Sequence, residues 1–262
     1  MGEKEAQKQK TYDELDRELS SAMDAGELLL MYGAEVSRVE DTIQRLCRAH
    51  GFTEADVFTI TSCIVATASF EDGRRLTQAR RIRERANDFG RVEQINALSR
   101  KFCSGQLGPE ELRNSLQEIR NKKGPPLYLE LCMYMVISMA LSVFFGGTWT
   151  DGAAAAVSGT VLFAMVRMGA VLKMNSMIQA MICSAVTAAA VLILVRAGIG
   201  SHPDKIMIGN IMLVIPGIQL TSSLRDMING DTISGLLNMS EALLKAVSVA
   251  FGFALVLITA GG

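Results

Sequence analysis

Charge is scarce in the second half of this 262-residue chain. Residues 127–262 carry six Lys+Arg and six Asp+Glu, whereas residues 1–126 carry 20 and 21. Two similar soluble domains do not divide this way. The pattern reads as a water-soluble segment followed by a chain dissolved in lipid. Other shortages exclude other classes. A net charge of −1, balanced in both halves, lacks the basic face of a nucleic-acid binder. The two histidines, His50 and His202, are too few for a histidine-based metal centre. Five cysteines (Cys47, Cys63, Cys103, Cys132, Cys183) show no CxxC spacing, which argues against zinc and a disulfide framework and leaves buried thiols as the default. No GxSxG, HExxH or P-loop is present, no nucleophile–base pair is visible, and no cofactor is implied, so an enzyme is not expected. A secretory signal is missing too: Met1–Lys10 is charged and leads into a polar helix pattern, so the N-terminus is expected in the cytoplasm.

From Thr11 the apolar residues Leu15, Leu19, Ala22, Leu29 and Val36 recur at helical steps, with Thr11 or Asp13 available as a cap. Gly26 and Gly33 each lower helix propensity by roughly 1 kcal/mol relative to Ala, so close packing or a break near Gly33 is expected. A second helix, about Val36–His50, ends at Gly51. The period then changes to two. Phe58, Ile60, Ile64, Ala66, Ala68 and Phe70 alternate with their neighbours, which predicts one long strand, a turn at Glu71-Asp72-Gly73 and a returning strand from Arg74 to about Arg83. Asp88–Ser104 and Pro109–Asn121 read as two more helices. Arg74, Arg75, Arg80, Arg81, Arg83 and Arg85 face either an anionic surface or, more simply, solvent. Residues 1–124 are thus expected to form a small cytoplasmic α+β domain.

Lys122-Lys123-Gly124-Pro125-Pro126 makes a stiff hinge. Residues 125–262 then read as an α-helical integral membrane domain of about five spans, near 127–147, 150–168, 174–196, 206–224 and 241–260, since a spanning helix needs about 20 apolar residues. With the N-terminus inside, Lys122, Lys123, Arg167, Lys173, Arg225 and Lys245 fall inside and only Arg196 and Lys205 outside, in keeping with the positive-inside rule. The second span is rich in small residues. Gly152/Ala156 and Ala155/Gly159 suit close packing, within the chain or in a homo-oligomer.

The polar candidates gather late in the chain. Pro216-Gly217 sits mid-span, where a break frees backbone groups that the bilayer tolerates only against protein or water. Broken helices of this kind form substrate sites in secondary transporters. Gln219, Thr221, Ser222 and Ser223 follow the break, then Arg225-Asp226 and Asp231, with Gly230 and Gly235 as flexible points. Arg225 suits a carboxylate, with Gln219, Thr221 and Asn210 as hydrogen-bonding helpers. Asp226 or Asp231 suits a proton or a counter-charge. Asn175, Gln179 and Asn210 each also fit simple interhelical hydrogen bonding.

Two segments carry a resemblance. Gly33-Ala34-Glu35-Val36-Ser37-Arg38-Val39-Glu40-Asp41-Thr42 resembles the opening signature of the threonine/serine exporter family. Pro216-Gly217, Leu220-Thr221, Arg225-Asp226, Gly230-Asp231, Ser234-Gly235 and Glu241-Ala242 resemble its second signature. The resemblance implies a secondary carrier in the inner membrane that exports threonine and serine, or a dicarboxylate such as succinate. Proton coupling is expected with it. A chain ending at Gly262 also resembles the larger component of a split exporter whose partner is a separate small membrane subunit. Glu35, Arg38, Glu40 and Asp41 are then expected as a charged cluster at the cytoplasmic mouth, or as a dock onto the membrane domain. The competing expectation is a membrane-anchored regulatory or assembly subunit with no substrate path of its own.

Overall fold

The structure is a computed structural model that describes residues 11–261. The chain divides into two compact units. One holds the residues up to Lys123 together with Ser222–Leu237; the other holds Gly124–Thr221 and the chain from Asn238 onward.

The N-terminal unit begins with α1 (Tyr12–Met31). Thr11 caps it, and its N–H donates to the Glu14 carboxylate at 2.9 Å. Leu15, Leu19, Ala22, Met23 and Leu29 form its buried stripe. At Gly33 (φ +90°) the chain turns into α2 (Val36–Ala49). Gly26 has a packing role: a Cβ there would collide with the Ile43 side chain of α2. Cys47, on the buried face of α2, has its thiol pushed up to about 12 by burial, so it is an inert packing group.

The expected long strand is two strands. β1 (Glu54–Ile60) and β2 (Cys63–Ser69) reverse at Thr61-Ser62, and β3 (Arg75–Arg81) follows the turn at Gly73, giving an antiparallel sheet of order β1-β2-β3. The reversal changes which residues are buried. Ile60 pairs with Cys63 and Thr59 with Ile64, so the core-facing residues of β1 are Ala55, Val57 and Thr59. Phe58 is therefore 61% exposed, whereas an unbroken strand would have placed it beside Ile64. The core face carries Ile64, Ala66, Ala68 and Leu76. At the β3 edge Arg80 donates to Ser20 Oγ of α1 at 2.8 Å and pairs with Asp24 at 3.4 Å. α3 (Phe89–Cys103) and α4 (Pro109–Asn121) complete the core through Ile95, Phe102, Leu112, Leu116 and Ile119. Arg91 ties the end of this unit down: it stacks over Tyr32, pairs with Asp88 and donates to the Lys122 carbonyl at 2.6 Å.

The second unit inverts the usual pattern of burial. In α5 (Leu127–Phe144) the buried residues are Ser138 and Ser142, while Met133, Val136, Ile137 and Phe144 point outward. Such a surface is untenable in water and normal in lipid. α6 (Trp149–Val171) and α7 (Ser176–Arg196) follow, then α8 (Pro203–Val214), α9 (Gly217–Ile228) and α10 (Thr232–Gly261). α5, α6, α7 and α10 are each long and apolar enough to cross a membrane. The expected fourth span is instead a bent pair. α8 and α9 meet at 50°, and five spans result only if the pair counts as one. Twelve residues of helix reach about 18 Å, short of a hydrocarbon core of about 30 Å, so neither half spans alone. The expected fifth segment extends further back than 241: α10 is continuous from Thr232, and Gly235 lies inside it.

Small residues set the helix spacing. Gly152 faces Met139 and Val143 of α5, Gly159 faces Ser138, and a Cβ at Gly209 of α8 would stand 2.6 Å from the Ser138 carbonyl. Gly252 of α10 lies against the Met181 backbone of α7 in the same way. These contacts are within the chain, and they let backbones approach closely where lipid removes the hydrophobic drive to associate.

Asp151 lies in the first turn of α6. It is fully buried and is the most heavily bonded carboxylate in this unit. Its Oδ2 accepts from the Thr148 N–H, the Thr148 hydroxyl and His202 Nδ1 at 2.7–2.9 Å. Its Oδ1 accepts from the N–H groups of Ser201 (2.6 Å) and His202 (3.0 Å). One carboxylate thus caps α6 and holds the loop that opens α8. Asp151→Ala is expected to cost about 3 kcal/mol, because it strands several buried donors. Thermal unfolding of the detergent-solubilised chain measures this, and a shift within error of the parent would show that the loop is held otherwise.

Candidate functional site

The break between α8 and α9 follows from two residues. Pro216 has no N–H, so the Met212 carbonyl loses its helical donor. The Gly217 N–H turns to the Ile215 carbonyl at 2.8 Å instead of reaching Leu213. α9 restarts with the Leu220 N–H on the Pro216 carbonyl at 3.0 Å. Backbone acceptors are thereby released at residues 212 and 213.

Past the break the chain joins the N-terminal unit. α9 ends with Gly230 at φ +99°, and the Asp231 N–H closes on the Asp226 carbonyl at 2.9 Å. Gly235 in the first turn of α10 then passes close over α9, where a Cβ would lie 2.7 Å from the Ser223 carbonyl. This tight helical hairpin presents Arg225, Asp226 and Asp231 to the start of α2. Arg225 Nη1 stands 3.1 Å from Glu35 Oε1. Asp226 is only 4% exposed, its Oδ1 has no hydrogen-bond donor among the described residues, and it lies in the fields of Asp231, Arg225, Glu35 and Arg85. Glu40, in the second turn of α2, accepts from the Thr59 N–H at 2.7 Å. Burial holds the Glu40 carboxyl above its usual range; the Thr59 N–H opposes this and the Asp231 charge adds to it.

The start of α2 and the stretch from Arg225 to Asp231 therefore share one charged cluster within the N-terminal unit. It contains four carboxylates (Glu35, Glu40, Asp226, Asp231) and the guanidinium groups of Arg225 and Arg85. The Glu35–Arg225 pair is half-open to solvent, and such pairs contribute about 0–1 kcal/mol. Its importance is one of position. Asp226 is different. A buried carboxylate with an unmatched oxygen costs several kcal/mol unless a proton, a cation or a mobile guanidinium relieves it. Among the described residues no group of His, Cys, Asp and Glu is placed to hold a metal ion.

The other expected residues lie elsewhere. Thr221 spends its hydroxyl on the carbonyls of Gly217 and Ile218 in its own helix. Gln219 donates to Glu241 at 3.3 Å and to the Asn238 carbonyl at 3.4 Å, within the second unit. Asn210 is buried in a knot of three helices: its Oδ1 accepts from Ser138 Oγ at 3.2 Å, and its Nδ2 donates to Ser158 Oγ at 2.8 Å and the Ile206 carbonyl at 3.0 Å. Gln179 donates to the Val166 carbonyl at 2.9 Å, and Asn175 caps α7. Asp41 pairs with Arg45 at 2.8 Å, and Arg38 lies exposed on the same face of α2. Sequence reasoning missed Glu241 as a partner of Gln219, and Arg85 as part of the charged site. An acid inside an apolar segment was the available signal for Glu241; nothing local marked Arg85.

Helices long and apolar enough to cross a membrane, with their apolar side chains outward, mark a multi-pass helical membrane protein. The chain belongs to the ThrE family, described as "Putative threonine/serine exporter", whose model matches residues 20–260. The family is one of transporters, not enzymes. Among curated proteins the chain is 25% identical over 232 residues to a "Probable threonine/serine exporter" of Mycobacterium tuberculosis, covering 86% of this chain and 43% of that protein. It is 20% identical to the "Threonine/serine exporter" of Corynebacterium glutamicum, covering 88% of this chain and 48% of that one. It is 23% identical to the "Probable succinate transporter subunit YjjP" of Escherichia coli, covering 88% of this chain and 90% of that one. The chain thus spans under half the length of the first two relatives. No solved structure matches.

Proposed function

We propose that this chain is a component of a secondary exporter of small carboxylate metabolites, either threonine and serine or a dicarboxylate such as succinate. It works by alternating access, with a proton as the coupling ion and a small membrane subunit as its partner. The N-terminal unit faces the cytoplasm of the cell whose inner membrane holds the protein. One observation carries the reading: the Asp226 carboxylate is buried with an unmatched oxygen beside the Glu35–Arg225 pair. In this scheme Arg225 exchanges Glu35 for a substrate carboxylate. Asp226 takes up and releases the proton, with Asp231 as its neighbouring counter-charge. The freed carbonyls at the Pro216-Gly217 break, with Gln219 and Thr221, line the way. Asn210 serves as a clamp, because its hydrogen bonds are already used. The names of the relatives support the substrate classes.

The competing reading is a regulatory or assembly subunit, and it draws on the grouping of Ser222–Leu237 with the N-terminal unit. Reconstitution separates the two. The chain is placed in liposomes with and without the small membrane protein of a neighbouring reading frame, and labelled serine, threonine and succinate are followed under an imposed pH gradient. Gradient-driven efflux that requires this chain is expected. Full efflux from the partner alone would assign the path to the partner.

A further inference from the structure

A groove lies between α2 and α3, wholly inside the N-terminal unit, with a volume of about 420 Å³. That size falls within the range of small-molecule sites. Its walls carry two acids and three arginines. The acids are spoken for: Asp41 pairs with Arg45 at 2.8 Å, and Glu35 with Arg225 at 3.1 Å. Arg38 and Arg100 have no ion-pair or hydrogen-bond partner among the described residues. Their guanidinium groups leave the groove positive, although the chain as a whole is near neutral. The Asn96 amide and the Ser99 side chain lie on the α3 wall, and the Ser99 hydroxyl donates to the Asn96 carbonyl at 2.9 Å. Positive charge in a concave wall with polar neighbours is the chemistry of an anion site, and planar guanidinium groups favour the paired oxygens of a carboxylate.

We infer that the α2–α3 groove binds a small carboxylate metabolite, held by Arg38 and Arg100, at a site distinct from the one at Asp226. Glu35 belongs both to the groove wall and to the ion pair with Arg225, so an anion in the groove acts on the field at Arg225. This makes the N-terminal unit a sensor of metabolite concentration.

Binding is measured directly, without transport, so its outcome is independent of the exporter reading. The full chain in detergent at low ionic strength is titrated calorimetrically with succinate, L-serine and inorganic phosphate. Saturable succinate binding is expected. Arg38→Ala and Arg100→Ala each weaken it about tenfold, the loss of one charge-assisted contact. Arg113→Ala, which removes an exposed arginine of α4 outside the groove, leaves it unchanged. Arg38→Lys and Arg100→Lys, which keep the charge and lose the fork, guard against misfolding of the Ala variants and fall between the parent and Ala. The inference is overturned if none of the three anions binds saturably. It is equally overturned if the Arg38 and Arg100 variants bind as the parent does, if Arg113→Ala weakens binding as much as they do, or if phosphate binds and succinate does not.

Discussion

Asp226→Asn is expected to abolish gradient-driven export, a fall of about a hundredfold or more, while the chain still folds and inserts. Asn has nearly the same volume as Asp, so packing is kept. What it removes is the ability to gain and lose a charge in a place where charge is costly. Losing a buried interaction of about 3 kcal/mol corresponds to about two factors of ten. The unmatched Oδ1 gives the prediction a second, opposite arm. Because the carboxylate is 4% exposed, the neutral amide relieves desolvation, and thermal stability should hold or rise. A merely structural Asp would lose stability and transport together. Substrate exchange across vesicles without a gradient should survive in the variant, since exchange needs no net proton movement. Export at the parental rate would remove Asp226 from the mechanism.

Arg225→Ala is expected to lower export by about tenfold to a hundredfold, with Arg225→Lys in between, because a single ammonium cannot reproduce a two-pronged carboxylate contact. Its stability cost should stay within about 1 kcal/mol, since the Glu35 pair is half-exposed. The informative variant reverses the pair, Arg225→Glu with Glu35→Arg. If the pair only latches α9 to α2, the reversal restores export. If Arg225 also binds the substrate carboxylate, the reversal restores the attraction and not the transport. Efflux from reconstituted vesicles, together with unfolding temperature, reads both. Restored export in the reversed chain would reduce Arg225 to a latch.

Local order was strongly written in the chain. Thr11 and Glu14 announce the start of α1, Gly33 and Gly51 mark where helices stop, and Pro109 sits in the first turn of α4. The proline break at 216 was equally readable, because a missing N–H is a property of the residue itself. Register was not. Ser62 is the one polar residue in the series Phe58, Ile60, Ile64, Ala66, the same parity resumes at Ile64, and no Gly or Asn announces a turn there. Only the pairing of Ile60 with Cys63 exchanged Phe58 for Thr59 on the buried face. A hairpin turn is one local event, yet it inverts the parity of every residue before it.

The candidate site divides along the same line. That Glu35, Glu40, Arg225, Asp226 and Asp231 are polar residues in signature-like segments is a fact of composition and spacing, available from the chain alone. So is the division between a charged half and an apolar half, because transfer free energies are properties of side chains. That Arg225 meets Glu35, that Asp226 is buried with an oxygen unmatched, and that Asn210 is already committed elsewhere was decided by tertiary packing. Hydrogen-bond and ion-pair partners are chosen by which surfaces fold against one another, and for residues far apart in the chain no local periodicity encodes that choice.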